Sequence, residues 1–352
     1  MRISIVIPYY KGKEFINCAV MSVLNQPYKN LEVIIINDGS PDDDKECVRL
    51  ANSDSRVVYL KKENDGIGAT RNLGISVATG EYIVFLDQDD IWCNGFLDHD
   101  LVSRISRGGD IFSFTYYVTN SDFTRAKNIA GVSAVKEIEG GYNAVSSIWK
   151  HHSSFIFRRQ FLVEQKIEYA LVRHEDEIFL KKALYKADKI TFIDKPIFCY
   201  RNNPLSETHR KLDPIKLYVP IFNAWLELLK WYLDIDSEDK EIERLIKNMI
   251  CIYAMEAIKA FYQYGYKDDY VLDVVQQHFP NKILTDFENI LYNDARKEDY
   301  RSFYNDHKNF LKSQKKTIMV NNIGRFVIKI PGVRKLYYRK KYPCVMPKNL
   351  IS

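Results

Sequence analysis

"EYIVFLDQDD", residues 81–90, sets two opposed demands side by side. Tyr82 to Leu86 is an unbroken apolar run, the pattern of a strand buried on both faces. Three carboxylates in four positions follow at once: Asp87, Asp89 and Asp90. Carboxylates crowded at the edge of a core repel one another and lose hydration. The segment is therefore either a solvated turn or the seat of something cationic. In an extended chain Asp87 and Asp89 point to the same side. Two carboxylates so placed suit a hard divalent cation that keeps some of its water and bridges phosphate oxygens.

The chain before this segment alternates. Strand-like runs at residues 3–7, 31–36 and 57–60 precede the one at 82–86, with helical patterns at 14–24, 42–51 and 68–78 between them. Strand, helix, strand at this spacing predicts right-handed βαβ units and an α/β fold, a mostly parallel sheet flanked by helices. Such sheets bind ligands at the carboxyl ends of their strands, and those ends read "PYYKG", "NDGS" and "DQDD". Beyond them we expect strands at 111–117, near 154–157 and at 189–193, and a helix over about 175–187. From about residue 213 the spacing turns helical, as in "IFNAWLELLKWYL". The expected organisation is an α/β domain over 1–212, a helical region over 213–314 and a tail over 315–352.

Further polar blocks punctuate the first part. "NDGS" at 37–40 ends a buried strand with Asp38 and a turn glycine. "NDGIGATRNLGI" at 64–75 opens a helix carrying Arg71 and Asn72. It is no dinucleotide fingerprint, because Arg71 holds the third glycine position, and no G-x-x-x-x-G-K-[ST] loop occurs in the chain. In "HEDEIFL", 174–180, Asp176 lies on the helical stripe of Phe179, Leu180 and Ala183, so it aims inward while Glu175 and Glu177 point elsewhere. Acids also favour helix N-termini through the macrodipole. The adjacent His151 and His152 read as surface polar residues sooner than as ligands.

Taken together, "ISIVIPYYKGKEFINCAVMSVLNQPYKNLEVIIINDGS", "NDGIGATRNLGISVATGEYIVFLDQDD" and "HEDEIFLKKAL" resemble inverting family 2 glycosyltransferases of the GT-A fold, of the bacterial polysaccharide-biosynthesis type, over roughly residues 1–205. The resemblance implies that Pro8 and Tyr9 line a nucleobase pocket, that Asp38 hydrogen-bonds the base and that Arg71 sits near base and phosphates. It implies that Asp87 contacts ribose and sugar, that Asp89 holds Mn²⁺ or Mg²⁺, and that Asp176 is the general base. "YRNNPLS" at 200–206 is similar to the family's closing segment, which places Arg201 toward the diphosphate. The family's usual Tyr-Asn after the first strand is Tyr10-Lys11 here. The implied donor is a nucleotide-diphosphate sugar, a UDP-sugar first. The implied acceptor is a hydroxyl of an oligosaccharide, lipid-linked, in capsule, exopolysaccharide or O-antigen synthesis. Two competing readings are a nucleotidyltransferase that makes activated sugars and a scaffold that keeps the fold without the chemistry. "PYYKGKEF" is poor in the glycines of the first, and intact Asp87, Asp89 and Asp176 argue against the second.

Composition sets the bounds. The 352 residues contain no continuous apolar run of the roughly 20 a membrane span needs, and "MRISIVIPYY" lacks a signal-peptide pattern. The six cysteines are scattered without metal spacing, which fits a reducing cytosol. The net charge of +5 hides an asymmetry. No Asp or Glu follows Asp306, yet twelve of the 51 Lys/Arg do, leaving residues 1–306 with 39 basic against 46 acidic side chains. In the tail, Met319, Ile323, Phe326, Val327 and Ile330 share one helical face, and "RKLYYRKKYP" interleaves basic and aromatic residues. A basic amphipathic element of this kind lies on an anionic membrane surface or packs as a last helix. Because an apolar face accompanies the charge, the expected partner is the inner face of the cell membrane and not nucleic acid.

Overall fold

Mostly apolar, β-branched runs have the interior of a sheet to go to, and that is where they lie. The computed structural model describes residues 1–130, 137–148, 150–202, 214–235, 239–246, 249, 250 and 253. In chain order its first half holds β1 (Ile3–Tyr9), α1 (Ile16–Leu24), β2 (Leu31–Asp38), α2 (Lys45–Ser53), β3 (Val57–Lys62), α3 (Ile67–Val77) and β4 (Tyr82–Phe85). Next come β5 (Ile91–Trp92), α4 (His99–Ile105), β6 (Ile111–Thr119), β7 (Ala126–Ala130), β8 (Glu137–Ile138) and α5 (Tyr142–Ser147). A 3-10 turn at His152–Ser154 leads into β9 (Phe155–Arg158), followed by α6 (Arg159–Glu164), α7 (Glu175–Lys186), β10 (Ile190–Arg201) and α8 (Pro214–Asp234).

The strands form one sheet in the order β3-β2-β1-β4-β9-β6-β10-β5, with β7 added to β6 and β8 to β10. β1 pairs in parallel with β2 and β4, and β2 with β3. This is the parallel half that the strand–helix alternation predicts. The second half is mixed: β9 enters antiparallel between β4 and β6, while β10 runs parallel to β6. β10 continues to Arg201, well past the expected strand end, through register shifts on either side of Pro196. A proline that cannot donate to the ladder is tolerated at such an irregularity. It also broke the apolar pattern from which the strand was read.

α3 lies close on the sheet. A Cβ added at Gly74 would come within 2.4 Å of Val6 Cγ1, so the helix–strand distance here depends on glycine. At the amino edge Glu32, 3 % exposed on β2, accepts hydrogen bonds from the Ser4 hydroxyl, the Thr79 amide (2.6 Å) and the Gly80 amide (3.1 Å). One carboxylate thus ties β1 and β2 to the turn that feeds β4. Burial works against its charge, but the Ser4 and Thr79 hydrogen bonds prevail and hold it below the usual glutamate range.

The described residues fall into two compact units. The first comprises described residues up to 202 with 230–235, and the second comprises 214–229 with described residues from 239 onward. In the second unit Phe222, Trp225 and Leu228 of α8 are buried, as the helical spacing there predicts. The boundaries expected at 212 and 314, and the whole basic tail, lie outside the described residues.

Glu32→Ala removes the acceptor of several buried donors and should cost about 3 kcal/mol of unfolding free energy in urea melts at pH 7. A carboxylate with a depressed folded pKa contributes its stability above the unfolded value of 4.5 and loses it as pH falls. The gap between wild type and variant should therefore narrow below pH 4.5.

Candidate active site

The carboxyl ends of β1, β2 and β4 converge on a cavity of about 220 Å³, walled by Pro8, Tyr9 and Asp38 on one side and by Asp87 and Asp89 on the other. Its size is below the roughly 300–1,000 Å³ of whole ligand sites, so it accommodates a ring-sized part of a larger molecule. A larger cavity of about 910 Å³, beside α4 and β10, contains none of the site residues expected from the sequence.

Asp38 ends β2 and holds the turn into α3. Its carboxylate accepts from Lys62 Nζ and from the Asp65 and Gly66 amides, both at 3.1 Å. Gly66, with φ 98°, makes that turn possible. Gln88 fixes the other wall, accepting from the Tyr10 amide at 3.0 Å and donating to the Tyr10 carbonyl at 2.7 Å. Lys11 follows in the left-handed region at φ 52°. Asparagine adopts that conformation at less cost than lysine, so the Tyr10-Lys11 departure falls where the backbone is least tolerant.

Arg71 of α3 is 2 % exposed. One terminal nitrogen donates to Asp87 Oδ1 at 2.8 Å and the other to Glu175 Oε1 at 2.5 Å, while the group lies over the Tyr169 ring. Glu175 therefore points inward, against the sequence expectation. The stripe argument ranks positions along a helix body, but in the first turn of α7 both Glu175 and Asp176 face the site, and Glu175 is the more buried. Its carboxyl is pushed above its usual range by burial, which Arg71 only partly offsets.

Asp87 is held from a second side. His151 Nδ1 accepts from the Ser153 amide at 3.4 Å, which leaves the proton on Nε2, 3.7 Å from Asp87 Oδ2. Burial opposes the charge on Asp87, yet Arg71 and then the two histidines keep its carboxyl below the usual range. His152 is not a surface residue as its sequence suggested. It is 1 % exposed, with Nδ1 3.5 Å from Asp176 Oδ2. Burial opposes ionisation of Asp176 as well, but His152, His151 and Arg71 hold it far below the ordinary aspartate range. Glu175, Arg71, Asp87, His151, His152 and Asp176 thus form a ring of side chains, joined between the two histidines by ring contact at 4.8 Å and not by a hydrogen bond, that returns to the same turn of α7.

Asp89 and Asp90 differ in kind from Asp87. Burial and then the neighbouring carboxylates push both upward, Asp90 strongly. Asp90 accepts the Arg201 amide at 2.8 Å through Oδ1, and its buried Oδ2 has no partner. The Arg201 side chain donates from Nε to the Asp89 carbonyl at 2.7 Å and stacks on Phe123 at 4.1 Å. Crowded carboxylates raised by mutual repulsion fit a divalent cation, whose charge would relieve that repulsion. Asp89 lies on the cavity wall and would be the residue to hold one. His151, His152 and Asp176 also bring one ligand atom each within 4.8 Å of one another.

Every sequence-expected site residue lies in the cavity wall, on the ring or beside Asp89. From the sequence Tyr169 was not singled out, His152 was read as a surface residue, Glu175 as pointing away from the site, and Asp90 only as a member of the carboxylate cluster. For Glu175 the one available signal was its place beside Asp176, and for the histidines it was their position just before a buried strand.

Comparison with known proteins gives a consistent outcome. The family described as Glycosyl transferase family 2 matches residues 4–167. Glycosyltransferase GlyG of Streptococcus pneumoniae is 32% identical over 232 residues, 60% of this chain and 74% of that protein. An uncharacterized glycosyltransferase of Rickettsia bellii is 40% identical over 116 residues, 33% of this chain, and the matched stretch spans only 17% of the relative. Among solved structures, S. aureus TarS 1–349 in complex with UDP-GlcNAc superposes with a TM-score of 0.60 at 17% identity, over 91% of this chain and 92% of that one.

Arg71→Met would leave Glu175 and Asp87 facing each other without their cation. Removing one partner of a buried ion pair costs about 3–5 kcal/mol, so the variant should melt well below wild type in calorimetry. Arg71→Lys should lie between them, because a single ammonium cannot serve both carboxylates at once.

Proposed function

The chain belongs to glycosyl transferase family 2, and on that footing we propose that it transfers a sugar from a nucleotide-diphosphate donor to an acceptor hydroxyl, with inversion at the anomeric carbon. The observation that carries this reading is the ring that joins Asp87, on the wall of the cavity, to Asp176 at the head of α7. Donor-side and acceptor-side carboxylates stand on one connected set of side chains.

Pro8 and Tyr9 receive the nucleobase, with Asp38 at its edge. Asp87, fixed by Arg71 and His151, takes the ribose and sugar hydroxyls. Arg201 lies toward the diphosphate. Asp176 accepts the acceptor's hydroxyl proton as the new carbon–oxygen bond forms at the anomeric carbon and the bond to the diphosphate breaks. Its depressed pKa keeps it ionised throughout the neutral range. Mn²⁺ or Mg²⁺ on Asp89 would supply the charge that stabilises the departing diphosphate. S. aureus TarS, which shares this fold, is described with UDP and with UDP-GlcNAc, which favours a UDP-sugar as the first donor to try.

The acceptor we infer is a lipid-linked oligosaccharide of capsule, exopolysaccharide or O-antigen synthesis, met at the inner membrane face. Among the described residues no helix is long and apolar enough to cross a membrane. The twelve Lys/Arg after Asp306 are what would hold the protein at an anionic surface, each contributing about 1 kcal/mol close to it.

Asp176→Asn nearly keeps the shape of the side chain and removes the base, so turnover should fall about 10²- to 10⁴-fold with donor affinity little changed. Wild-type turnover in that variant would place the base elsewhere. Asp89→Ala, or excess EDTA on wild type, should abolish both transfer and metal-dependent stabilisation by UDP in thermal shift. Truncation after Gln314 should release the protein from anionic liposomes at low salt while UDP-sugar hydrolysis continues.

A further inference from the structure

Asp176 stands on the first turn of a helix, about one-third exposed. A base there must be aimed as well as ionised. Among the described residues, the side chain placed to aim it is His152. We propose that His152 is a positioning residue for Asp176, donating its Nδ1 proton to Oδ2 and so turning Oδ1 toward the acceptor hydroxyl. This rests on the reading of Asp176 as the general base.

The case begins with burial. The imidazole is enclosed by Phe85, Tyr169 and His151, with ring centroids 6.1, 6.0 and 4.8 Å away. Neither of its nitrogens has a partner at full hydrogen-bond geometry. An unsatisfied buried N–H is rarer and costlier than an unsatisfied acceptor. The ring proton therefore belongs on the nitrogen that has an acceptor within reach, which is Nδ1, 3.5 Å from Asp176 Oδ2. That separation is long for a finished hydrogen bond, and catalytic contacts often tighten only with substrate in place.

The ring itself is anchored. The Ser154 amide and hydroxyl both donate to the His151 carbonyl, at 2.9 and 2.7 Å, which locks the 3-10 turn that presents His152. The charged and titratable groups facing it are Arg71 from α3, Asp87 beyond β4, Tyr169 ahead of α7, Asp176 on α7 and His151 on its own turn. Burial and then Arg71 bring its pKa down to about 4, so at neutral pH it is an uncharged donor. A neutral donor orients a carboxylate without competing strongly for the proton that the carboxylate must receive.

The test uses the full-length protein labelled with ¹⁵N-histidine. At pH 7 His152 should appear as the Nδ1–H tautomer, with a proton resonance that moves when Asp176→Asn is introduced. An Nε2–H tautomer, or a resonance indifferent to Asp176→Asn, overturns the proposal. In parallel, UDP-GlcNAc hydrolysis with Mn²⁺ is followed in three variants. His152→Phe keeps the volume without the donor and should lose about 10- to 100-fold in kcat at unchanged donor KM, whereas His152→Asn, whose amide reaches the Nδ1 position, should recover most of it. If Asp176→Asn keeps full turnover, the general-base reading itself falls. If Asp176→Asn is impaired while His152→Phe is not, only the positioning role falls. Stoichiometric Zn²⁺ binding in calorimetry that His152→Phe abolishes would assign the cluster to a cation instead and overturn the proposal.

Discussion

A guanidinium withdrawn from water between two carboxylates is the constraint on which the site depends. Arg71 reaches Asp87 at the end of a strand and Glu175 at the start of a helix 104 positions further along the chain. Taking three charges out of water is costly, and the arrangement persists only with good geometry and hydrogen bonds to satisfy it. That demand makes the ion pair a register pin. It sets where the head of α7 stands relative to the sheet edge, and so where Asp176 stands relative to the cavity.

From that pin the site divides by charge. Asp87 is balanced on both sides and keeps its own proton off. For Asp89 and Asp90 the charge of Arg201 is outweighed, and their carboxyls rise through burial and then mutual repulsion. One sheet edge therefore carries a carboxylate balanced by cations next to two whose carboxyls are raised. A balanced carboxylate can accept neutral hydroxyls, whereas crowded carboxyls with raised pKa would gain from a cation. The division of labour proposed for the donor follows from this difference in neighbours, since all three residues are the same amino acid.

Much of the architecture was legible from residue spacing. Apolar runs at residues 3–7, 31–36 and 82–86 have the length and β-branching of strands with no exposed face, and they became β1, β2 and β4. α4 was not anticipated: at seven residues it spans too few turns to display a period. The second half of the sheet was misjudged in extent because β10 shifts register on either side of Pro196, although its pairing with β6 resumes beyond it.

For the site, the sequence by itself determined which chemical groups were present and which strand ends carried them. Asp38, Asp87 and Asp89 each follow an apolar run, and the end of a strand is where a sheet of this class exposes polar groups. Only the tertiary structure decided their partners. His152 and Glu175 were taken for outward-facing residues because adjacency along the chain carries no information on what lies across it. A residue at the head of a short turn or helix is aimed by the contacts it meets, and those come from Phe85, Tyr169 and Arg71 on other elements. Local composition settles the identity of these strands because a short β-branched apolar run fits the interior of a sheet. The state of a carboxylate depends on charges within a few ångströms, and folding is what brings those charges together.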